Sequence, residues 1–339
     1  MLLSMMLAFV TCSSTANSEV PKPVTKTEAP KSARVMFYNV ENLFDTIDDP
    51  GTVDEEFTPG SEKKWDTGRY RKKLKNIAEV IASIMRDEPV LGIGLCEIEN
   101  NTVLDDLLKE ETLSRFSLKY VHEESADPRG IDVAFVYNSN LFTPGTHEIL
   151  RPEFSYDSQK KSRDILYVPG TYADGTSLHF FINHWPSRRD GVEESKPARL
   201  TLAALLQKKI NEISATDKKA NVIAMGDFND TPTDESVSSL CTGADDNAAM
   251  INLAAQSTAC RGTITYDDAW MTFDQILVSQ NLQNGKSPDA KDRMFCLSDA
   301  FVLYTDKKGN EFPNKTYGGN KYYGGYSDHL AVYTDLYFK

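Results

Sequence analysis

The chain has 339 residues, with 37 Lys and Arg against 50 Asp and Glu, so its formal net charge is −13. Such an acidic protein lacks the broad basic surface that binds long nucleic acids through counterion release, so any phosphate must be held by a few local residues. The composition, 40% hydrophobic and 26% charged, is typical of a globular protein and excludes the disordered and fibrous classes.

The chain begins with an apolar segment that ends at Cys12. About eleven apolar residues are too few to span a bilayer but suit the core of an export signal. Cys12, followed by two serines, suits an acylated lipoprotein residue; a signal cleaved near Ala16 and a mis-set start codon are the alternatives. Because the next residues are rich in Ser, Thr, Pro and Lys, residues 1–32 predict an export signal and flexible linker. We expect a periplasmic, membrane-anchored or secreted protein.

From residue 34 onward, short apolar runs alternate with helical patterns. Two sets of apolar residues recur every three or four positions and predict helices: Tyr70, Leu74, Ile77, Ile81 and Ile84, and Leu202, Leu206, Ile210 and Ile213. Strands are expected at residues 34–43, 90–96, 131–138, 178–185, 221–225, 273–279, 298–304 and 330–338. Many strands with few helices favour mixed sheets packed face to face, with helices outside, in one domain over residues 33–339.

The five cysteines are scattered along the chain, without a CxxC pair or a Cys/His cluster. This spacing excludes a structural zinc site and a disulfide-dense scaffold. In an oxidising compartment Cys241 and Cys260 could form a disulfide.

Polar side chains stand where several of the apolar runs end. Each has an ordinary explanation as a turn former or a solvated strand end, so the inference depends on their occurring together. Their oxygen atoms suit a hard cation such as Mg²⁺, and their imidazoles titrate near neutrality. Zinc-hydrolase, GxSxG and phosphate-loop motifs are absent, which leaves metal-assisted hydrolysis by activated water. The residues are Asn39, Glu97, His184, Asp227, Asn229, Asp328 and His329.

Seven motifs in order resemble the endonuclease/exonuclease/phosphatase superfamily over residues 33–339. The resemblance implies an α+β, deoxyribonuclease I-like fold: a four-layer α/β/β/α sandwich of two mixed, mainly antiparallel sheets in a single catalytic domain. The motifs are YNVENLF (38–44), LCEIEN (95–100), RGIDVAFVY (129–137), INHWPSR (182–188), GDFND (226–230), FDQILVS (273–279) and YSDHLAVY (326–333).

The resemblance also implies roles for the polar residues. Glu97 would be the principal metal ligand, with Asn39 and Asp328 completing the shell. Asp227 would orient and deprotonate the attacking water, and Asn229 would bond to the scissile phosphate. His329, held by Asp274, would donate to a phosphate oxygen. His184 would stabilise charge or protonate the leaving oxygen.

Substrate contacts are harder to assign. Arg188 ends the NHWPSR motif and forms a basic cluster with Arg189, Lys196 and Arg199, which is the better phosphate candidate of two basic clusters. Arg129 and Arg163 are further phosphate candidates, although each is more simply explained as a surface or rim charge. The resemblance implies a carboxylate near the RGIDVAF motif that pairs with the first histidine, His184, and Asp132 is the residue available for it. Tyr326 ends a loop rich in Gly and Tyr that could stack on a base or sugar. A second basic cluster predicts a solvated helix face: Lys63, Lys64, Arg69, Arg71, Lys72, Lys73 and Lys75.

The expected protein is a divalent-metal-dependent phosphoesterase, first of all a nuclease or phosphodiesterase, using Mg²⁺ with Mn²⁺ or Ca²⁺ as alternatives. Its substrate would be a phosphate ester such as DNA, RNA or a small phosphodiester, bound by a monomer without an extended nucleic-acid face. A phosphomonoesterase, a lipid-headgroup phosphodiesterase and a catalytically silent binding protein are the alternatives.

Overall fold

The computed structural model describes residues 28–242, 249–283, 287–291 and 293–339. The expected export signal and Cys12 lie outside these ranges, whereas Ser32, the last residue assigned to the linker, already belongs to the first strand. None of the helices in the described ranges has both the length and the apolar composition needed to cross a membrane.

The helices are α1 (Thr67–Ile84), α2 (Asn101–Leu108), α3 (Glu111–Ser114), α4 (Val192–Thr216), α5 (Glu235–Cys241) and α6 (Leu253–Gln256). The strands are β1 (Ser32–Leu43), β2 (Val90–Ile98), β3 (Leu118–His122), β4 (Asp132–Asn138), β5 (Phe142–Pro144), β6 (Glu148–Leu150), β7 (Ile165–Tyr172), β8 (Ser177–His184), β9 (Val222–Asp227), β10 (Met250–Asn252), β11 (Ile264–Tyr266), β12 (Ala269–Met271), β13 (Asp274–Ser279), β14 (Phe295–Cys296), β15 (Leu303–Thr305), β16 (Glu311–Pro313), β17 (Tyr317–Gly318), β18 (Lys321–Tyr322) and β19 (Val332–Tyr337).

Two large sheets organise these strands. The first has the order β14-β19-β1-β2-β4-β3, and the second has the order β10-β13-β9-β8-β7-β5, with β6 also paired to β7. The pairs β1 with β2 and β8 with β9 are parallel, and the other described neighbours in these sheets are antiparallel. The expectation of two mixed, mainly antiparallel sheets is therefore confirmed.

Successive residues of the central strands point to opposite faces and pack into different hydrophobic cores. In β1, Val35 and Phe37 pack into the core between the two sheets, whereas Met36 and Tyr38 pack into the core that includes α1. In β8, Ile182 likewise joins the inner core, while its neighbour Phe181 packs with α4. Because the central strands are buried on both faces, the helices form the outer layers of an α/β/β/α sandwich.

The predicted helical stripes are the buried faces of α1 and α4. The helix α1 begins at Asp66, whose side chain accepts a hydrogen bond from the Arg69 amide at 2.9 Å. Its basic face differs from the prediction at one position, since Lys73 is only 1% exposed.

One strand prediction was wrong, and β7 is among the strands that were not predicted. Residues 298–304 were expected to form one strand, but Ala300–Val302 is a turn of 3-10 helix and β15 pairs with β16 in a separate hairpin. The strand β7 was missed because Pro169 and Gly170 interrupt its apolar pattern.

The predicted disulfide partner was also wrong. Cys260 is bonded to Cys296, with their Cα atoms 5.2 Å apart, and Cys241 is a free thiol. Cys296 lies in β14 at the edge of the first sheet, whereas Cys241 ends α5 on the outer layer of the second sheet. The pairing follows from this packing, which the spacing of the cysteines along the chain does not reveal.

Candidate active site

The ends of the central strands meet at one cleft, with a volume of about 460 Å³. The register brings its members together, because Asp227 at the end of β9 lies opposite both His184 in β8 and Asp274 in β13. The lining residues are Asn42, Glu97, Arg129, Lys160, Lys161, Ser162, Arg163, His184, Pro186, Ser187, Arg188, Arg189, Asp190, Ser195, Asp227, Asn229, Ile264, Tyr266, Phe273, Asp328 and His329.

Asp227 occupies the centre of the site. Its Oδ2 lies 3.7 Å from His184 Nε2 and 3.8 Å from His329 Nε2, and it accepts a hydrogen bond from Asn39 Nδ2 at 3.0 Å. Its Oδ1 accepts the backbone amide of Asn229 at 2.9 Å. Burial raises the pKa of Asp227 to about 6. The carboxylate is thus fixed in position between two imidazoles.

His329 and Asp274 form a close pair, with 2.7 Å between Nδ1 and Oδ2. Burial alone would lower the pKa of His329, but the carboxylates of Asp274 and Asp227 outweigh burial and raise it well above its usual value. Because Nδ1 is held by Asp274, Nε2 is the nitrogen that faces Asp227.

Thr263 positions this pair and was not found from the sequence. It is fully buried, its Oγ1 accepts the Asp274 amide at 3.1 Å, and its carbonyl accepts the Leu330 amide at 2.7 Å. It therefore joins the strand that carries Asp274 to the segment that carries His329. No local motif marks such a residue.

His184 is the second imidazole, and its Nε2 lies 3.8 Å from Glu97 Oε1. Burial lowers the pKa of His184 well below its usual value, and the charges of Arg163 and Arg129 act in the same direction. Its Nδ1 is buried without a hydrogen-bond partner among the described residues.

The expected pairing of Asp132 with this histidine is absent. The Oδ2 of Asp132 lies 3.5 Å from His122 Nε2, and its Oδ1 accepts the Ser125 amide at 2.8 Å. Asp132 is in β4 and His122 is in the neighbouring edge strand β3, so the carboxylate contacts the edge strand of the first sheet. Asp132 is 1% exposed and does not line the cleft, so the substrate contact predicted for it is not supported.

Glu97 and Asp328 add two more carboxylates to the cleft. Burial, together with the charges of Glu41 and Glu97, raises the pKa of Asp328 to about 7. Glu97 Oε2 accepts the Asn42 amide at 2.8 Å, which fixes its orientation. Crowded carboxylate oxygens are the donor set that hard divalent cations take, so the residues present fit such an ion.

Asn39 contacts the carboxylates of the cleft through its side-chain nitrogen. Its Nδ2 faces Glu97 Oε1 at 3.4 Å as well as Asp227, while its Oδ1 accepts the Glu41 amide at 3.0 Å. In this orientation the amide oxygen is directed to the backbone, so Asn39 orients the carboxylates. A second group of residues could also hold a metal ion. Asp227, Asp274 and His329 each offer one ligand atom, and these atoms lie within 4.8 Å of one another.

Strained backbone surrounds the site. Glu97 has φ +63°, Asn229 has φ +50°, and the adjacent Glu41 and Asn42 have φ +53° and +54°. This left-handed region is unfavourable for residues with side chains, and such residues concentrate where the surrounding structure imposes a functional geometry.

Two arginines that line the cleft are engaged with the protein. Arg188 donates to the Asn229 carbonyl at 2.7 Å and forms ion pairs at 2.5 Å with Asp230 and Asp234. These contacts use its Nε and Nη2 and hold the loop after β9, so only Nη1 remains for the predicted phosphate contact. Arg163, expected to be a rim charge, is 6% exposed and donates to the His184 and Trp185 carbonyls.

The remaining cleft cations form a basic rim. It consists of Arg129, Lys160, Lys161 and Arg189, all half-buried or exposed. Arg129, which the sequence singled out, therefore lies at the cleft. The two lysines were missed, because nothing in the motifs indicates that the loop before β7 folds over the site.

Tyr326 was expected to contact substrate, but it does not line the cleft. Its hydroxyl donates to Glu79 Oε2 on α1 at 3.1 Å, and its ring packs against Phe301. The aromatic side chains in the cleft are instead Tyr266 and Phe273. The loop that contains Tyr326 is anchored by the buried Lys73, whose Nζ bonds to Thr316 Oγ1 at 2.5 Å and to the Tyr326 carbonyl at 2.8 Å.

Comparison with known proteins gives a consistent result. The sequence profile of the Endonuclease/Exonuclease/phosphatase family matches residues 34–337. Among curated proteins, none matches significantly.

Solved structures share the fold at low identity. An endonuclease/exonuclease/phosphatase family protein from Bacteroides thetaiotaomicron aligns with a TM-score of 0.58 and 18% identity, over 91% of this chain and 99% of its own. A mannosyl-6-phosphatase from B. thetaiotaomicron VPI-5482 aligns with a TM-score of 0.57 and 18% identity, over 90% and 100%. TDP2 from C. elegans aligns with a TM-score of 0.54 and 16% identity, over 90% and 75%.

These likenesses show the fold, and the profile covers almost all of the described residues. The chain therefore belongs to the endonuclease/exonuclease/phosphatase family, whose members are phosphoester hydrolases.

Proposed function

We propose that the protein hydrolyses phosphodiesters by in-line attack of an activated water, with the help of a divalent cation. The observation that carries the proposal is the meeting of Asp227 with two imidazoles, His184 and His329, beside the carboxylates of Glu97 and Asp328. A binding protein would not require a buried carboxylate held between two imidazoles.

Glu97 and Asp328 would hold the cation, and Asn39 would orient Glu97. Mg²⁺ suits such oxygen donors and keeps coordination sites for water and phosphate; Mn²⁺ and Ca²⁺ are the alternatives. When bound, the cation would neutralise negative charge on the phosphate oxygens.

The protein's own residues would perform the remaining work. Asp227, fixed by the amides of Asn39 and Asn229, would orient the water and accept its proton. His329 would donate from Nε2 to a phosphate oxygen, because Asp274 engages Nδ1. His184, on the other side of Asp227, would assist the leaving oxygen.

A phosphomonoesterase is the second candidate. The rim of Arg129, Lys160, Lys161 and Arg189 places several cations at one cleft, which suits the higher charge of a terminal phosphate. The solved structures with this fold also include a mannosyl-6-phosphatase.

One panel tests the proposal. Turnover of bis(p-nitrophenyl) phosphate, p-nitrophenyl phosphate and plasmid DNA would be measured with Mg²⁺, Mn²⁺, Ca²⁺ or EDTA. We expect diester turnover that EDTA abolishes. The variants Asp227→Asn and His329→Ala should lower kcat by about 10²- to 10⁴-fold, whereas His147→Ala, outside the cleft, should retain full activity.

Each contrary outcome is informative. Activity that survives EDTA, or that both variants retain, would refute the mechanism. Turnover of the monoester alone would establish the second candidate. Absence of turnover under every condition would identify a silent relative.

We also propose that residues 33–339 act as one exported catalytic domain. Support comes from the pairing of β1 with β19, which joins both ends of the described fold, and from the disulfide, which is typical of oxidising compartments. Cell fractionation tests export, and mature protein recovered in the cytosol with Met1 retained would reject it. Labelling with a fatty acid tests acylation of Cys12.

A further inference from the structure

We propose that a second cavity, adjoining the first at Asp328, binds a planar aromatic substituent of the phosphodiester substrate. This inference rests on the proposed phosphodiesterase function and makes it more specific. The substrate class would be diesters with at least one ring-bearing group, such as a nucleotide base, next to the scissile phosphate.

The position of the cavity supports this assignment. It has a volume of about 420 Å³, and both Ile264 and Asp328 line it and the catalytic cleft. A phosphate bound beside Asp328 and His329 would therefore lie where the two cavities meet. A diester carries two substituents, so each cavity can receive one of them, whereas a monoester has a single substituent to place.

Aromatic rings form the walls. Tyr304, Phe312 and Tyr323 line the cavity, and Tyr304 and Tyr323 are 56% and 53% exposed although each could bury a large apolar surface. Rings of this kind stack on planar groups, and stacking tolerates different ring identities. The exposed rings provide a surface that a flat substituent can cover.

The rings are on supported hairpins. Tyr304 and Phe312 are direct partners in the antiparallel pair of β15 and β16, so their side chains stand on the same face. The backbone amide of Tyr323 donates to the Thr316 carbonyl at 2.8 Å. The Thr316 amide donates to Glu41 at 2.6 Å, and Thr316 Oγ1 bonds to the buried Lys73. The backbone of Tyr323 is thus linked through Thr316 to Glu41 and Lys73, below the catalytic cleft.

The charge of the cavity suits a polar, electron-rich substituent. Lys315 and Lys321 line it, and Lys321 Nζ lies 5.0 Å from the centre of the Tyr323 ring. Asp328 is its single carboxylate among the described lining residues. The combination of rings with two ammonium groups is that of a subsite for a nucleoside rather than for a lipid chain.

A matched pair of substrates tests the proposal with the intact protein and Mg²⁺. Phenyl p-nitrophenyl phosphate and methyl p-nitrophenyl phosphate share a leaving group and differ in whether the second substituent is a ring. For the double variant Tyr304→Ala/Tyr323→Ala we expect kcat/KM for the phenyl diester to fall about tenfold, which is within the usual contribution of aromatic stacking. The double variant Tyr304→Phe/Tyr323→Phe keeps both rings, so its kcat/KM for the phenyl diester should stay well above that of the Ala variant.

The methyl diester shows which ring occupies the cavity. If the second substituent binds there, only the phenyl diester is affected; if the leaving group binds there, both substrates lose about tenfold, and either result supports the proposal. Wild-type kcat/KM for both diesters in the Ala variant, within twofold, would overturn it. Failure of the wild-type protein to hydrolyse either diester would instead refute the proposed function. Tyr156→Ala, an exposed tyrosine outside both cavities, is the matched control.

Discussion

Single residues that hold the backbone are as important to this site as those that face the cleft. Arg163 links the loop before β7 to the segment after β8, because it donates to the carbonyls of His184 and Trp185 and pairs with Asp127 at 2.8 Å. The Asp127 carboxylate and the guanidinium are both buried. The position of His184 therefore depends on an ion pair that does not itself need to touch substrate.

Replacing Arg163 by Ala should destabilise the protein. The substitution removes the buried partner of Asp127 and leaves only its longer contact with the half-buried Arg129 at 3.4 Å. Loss of one member of a buried ion pair typically costs about 3–5 kcal/mol. Urea denaturation monitored by tryptophan fluorescence would measure the change in the free energy of unfolding. Arg261→Ala, which removes a half-exposed pair with Glu311, should cost about 0–1 kcal/mol. Equal urea midpoints for the two variants would contradict the assigned role.

At this scale the sequence predicted the residues that end strands and missed those that support them. Asp227, Asp274, His184 and His329 are brought together as expected, since polar residues at strand ends on one side of a domain converge. Thr263 and Arg163 act through backbone groups distant in sequence, and hydrogen bonds of that kind leave no local pattern. Tyr326 is the opposite case. The Gly- and Tyr-rich composition of its loop suited stacking on a substrate, but the Tyr326 hydroxyl donates to Glu79.

The strand β2 illustrates how an element is shaped by its neighbours. Its two glycines lie beneath aromatic rings of adjacent strands: a Cβ at Gly92 would be 2.6 Å from the Phe135 ring, and one at Gly94 would be 2.9 Å from the Phe37 ring. The glycines thus make room for the inner core between the sheets. The same strand carries Glu97 at its end, so its placement sets the position of that carboxylate.

Gly92→Ala should therefore strain the sandwich. A close-packed interior accommodates an added methyl group only by moving the Phe135 ring, and overpacking of this kind typically costs about 1–3 kcal/mol. The free energy of unfolding from urea denaturation is the measurement. Gly60→Ala is the matched control, because Gly60 has no atom within 4 Å of the added Cβ. A Gly92→Ala protein as stable as this control would show that the ring can move without cost.

Elements were predictable where apolar periodicity was uninterrupted. The helical stripes of α1 and α4 are buried as expected, because a repeat of three or four residues has one structural interpretation over several turns. The short hairpins β15–β16 and β17–β18 were not predictable, since two or three residues carry no period. These hairpins carry the wall of the second cavity. Tyr323 belongs to the Gly- and Tyr-rich loop whose composition suited stacking, but no pattern in the sequence indicated Tyr304 and Phe312.

The whole molecule is acidic, yet its cleft has a basic rim. The net charge of −13 is compatible with phosphate chemistry because four cations, Arg129, Lys160, Lys161 and Arg189, are gathered at one opening. These cations are confined to the cleft, which agrees with a protein that lacks a broad basic surface.

The disulfide should contribute to global stability. The bond between Cys260 and Cys296 joins residues that are 36 positions apart in sequence. A cross-link of this span lowers the conformational entropy of the unfolded chain, which raises the free energy of unfolding by about 3–4 kcal/mol. The double variant Cys260→Ser/Cys296→Ser should lose about that much in urea denaturation, and reduction of the wild-type protein should have the same effect. Cys241→Ser, which removes a free thiol, is the control. An unchanged midpoint after complete reduction would contradict this expectation.

The pair of His329 and Asp274 joins the two halves of the sandwich. His329 immediately precedes Leu330 and the first-sheet strand β19, whereas Asp274 opens β13 in the second sheet. The chain builds β1 to β4 of the first sheet, crosses to the second for β5 to β10 and β13, and then returns for β14 and β19. A fragment ending before β14 would retain Asp227 and Asp274 but lack His329. Neither sheet alone can therefore hold Asp227, Asp274 and His329 together, and the candidate site is complete only when β19 pairs with β1.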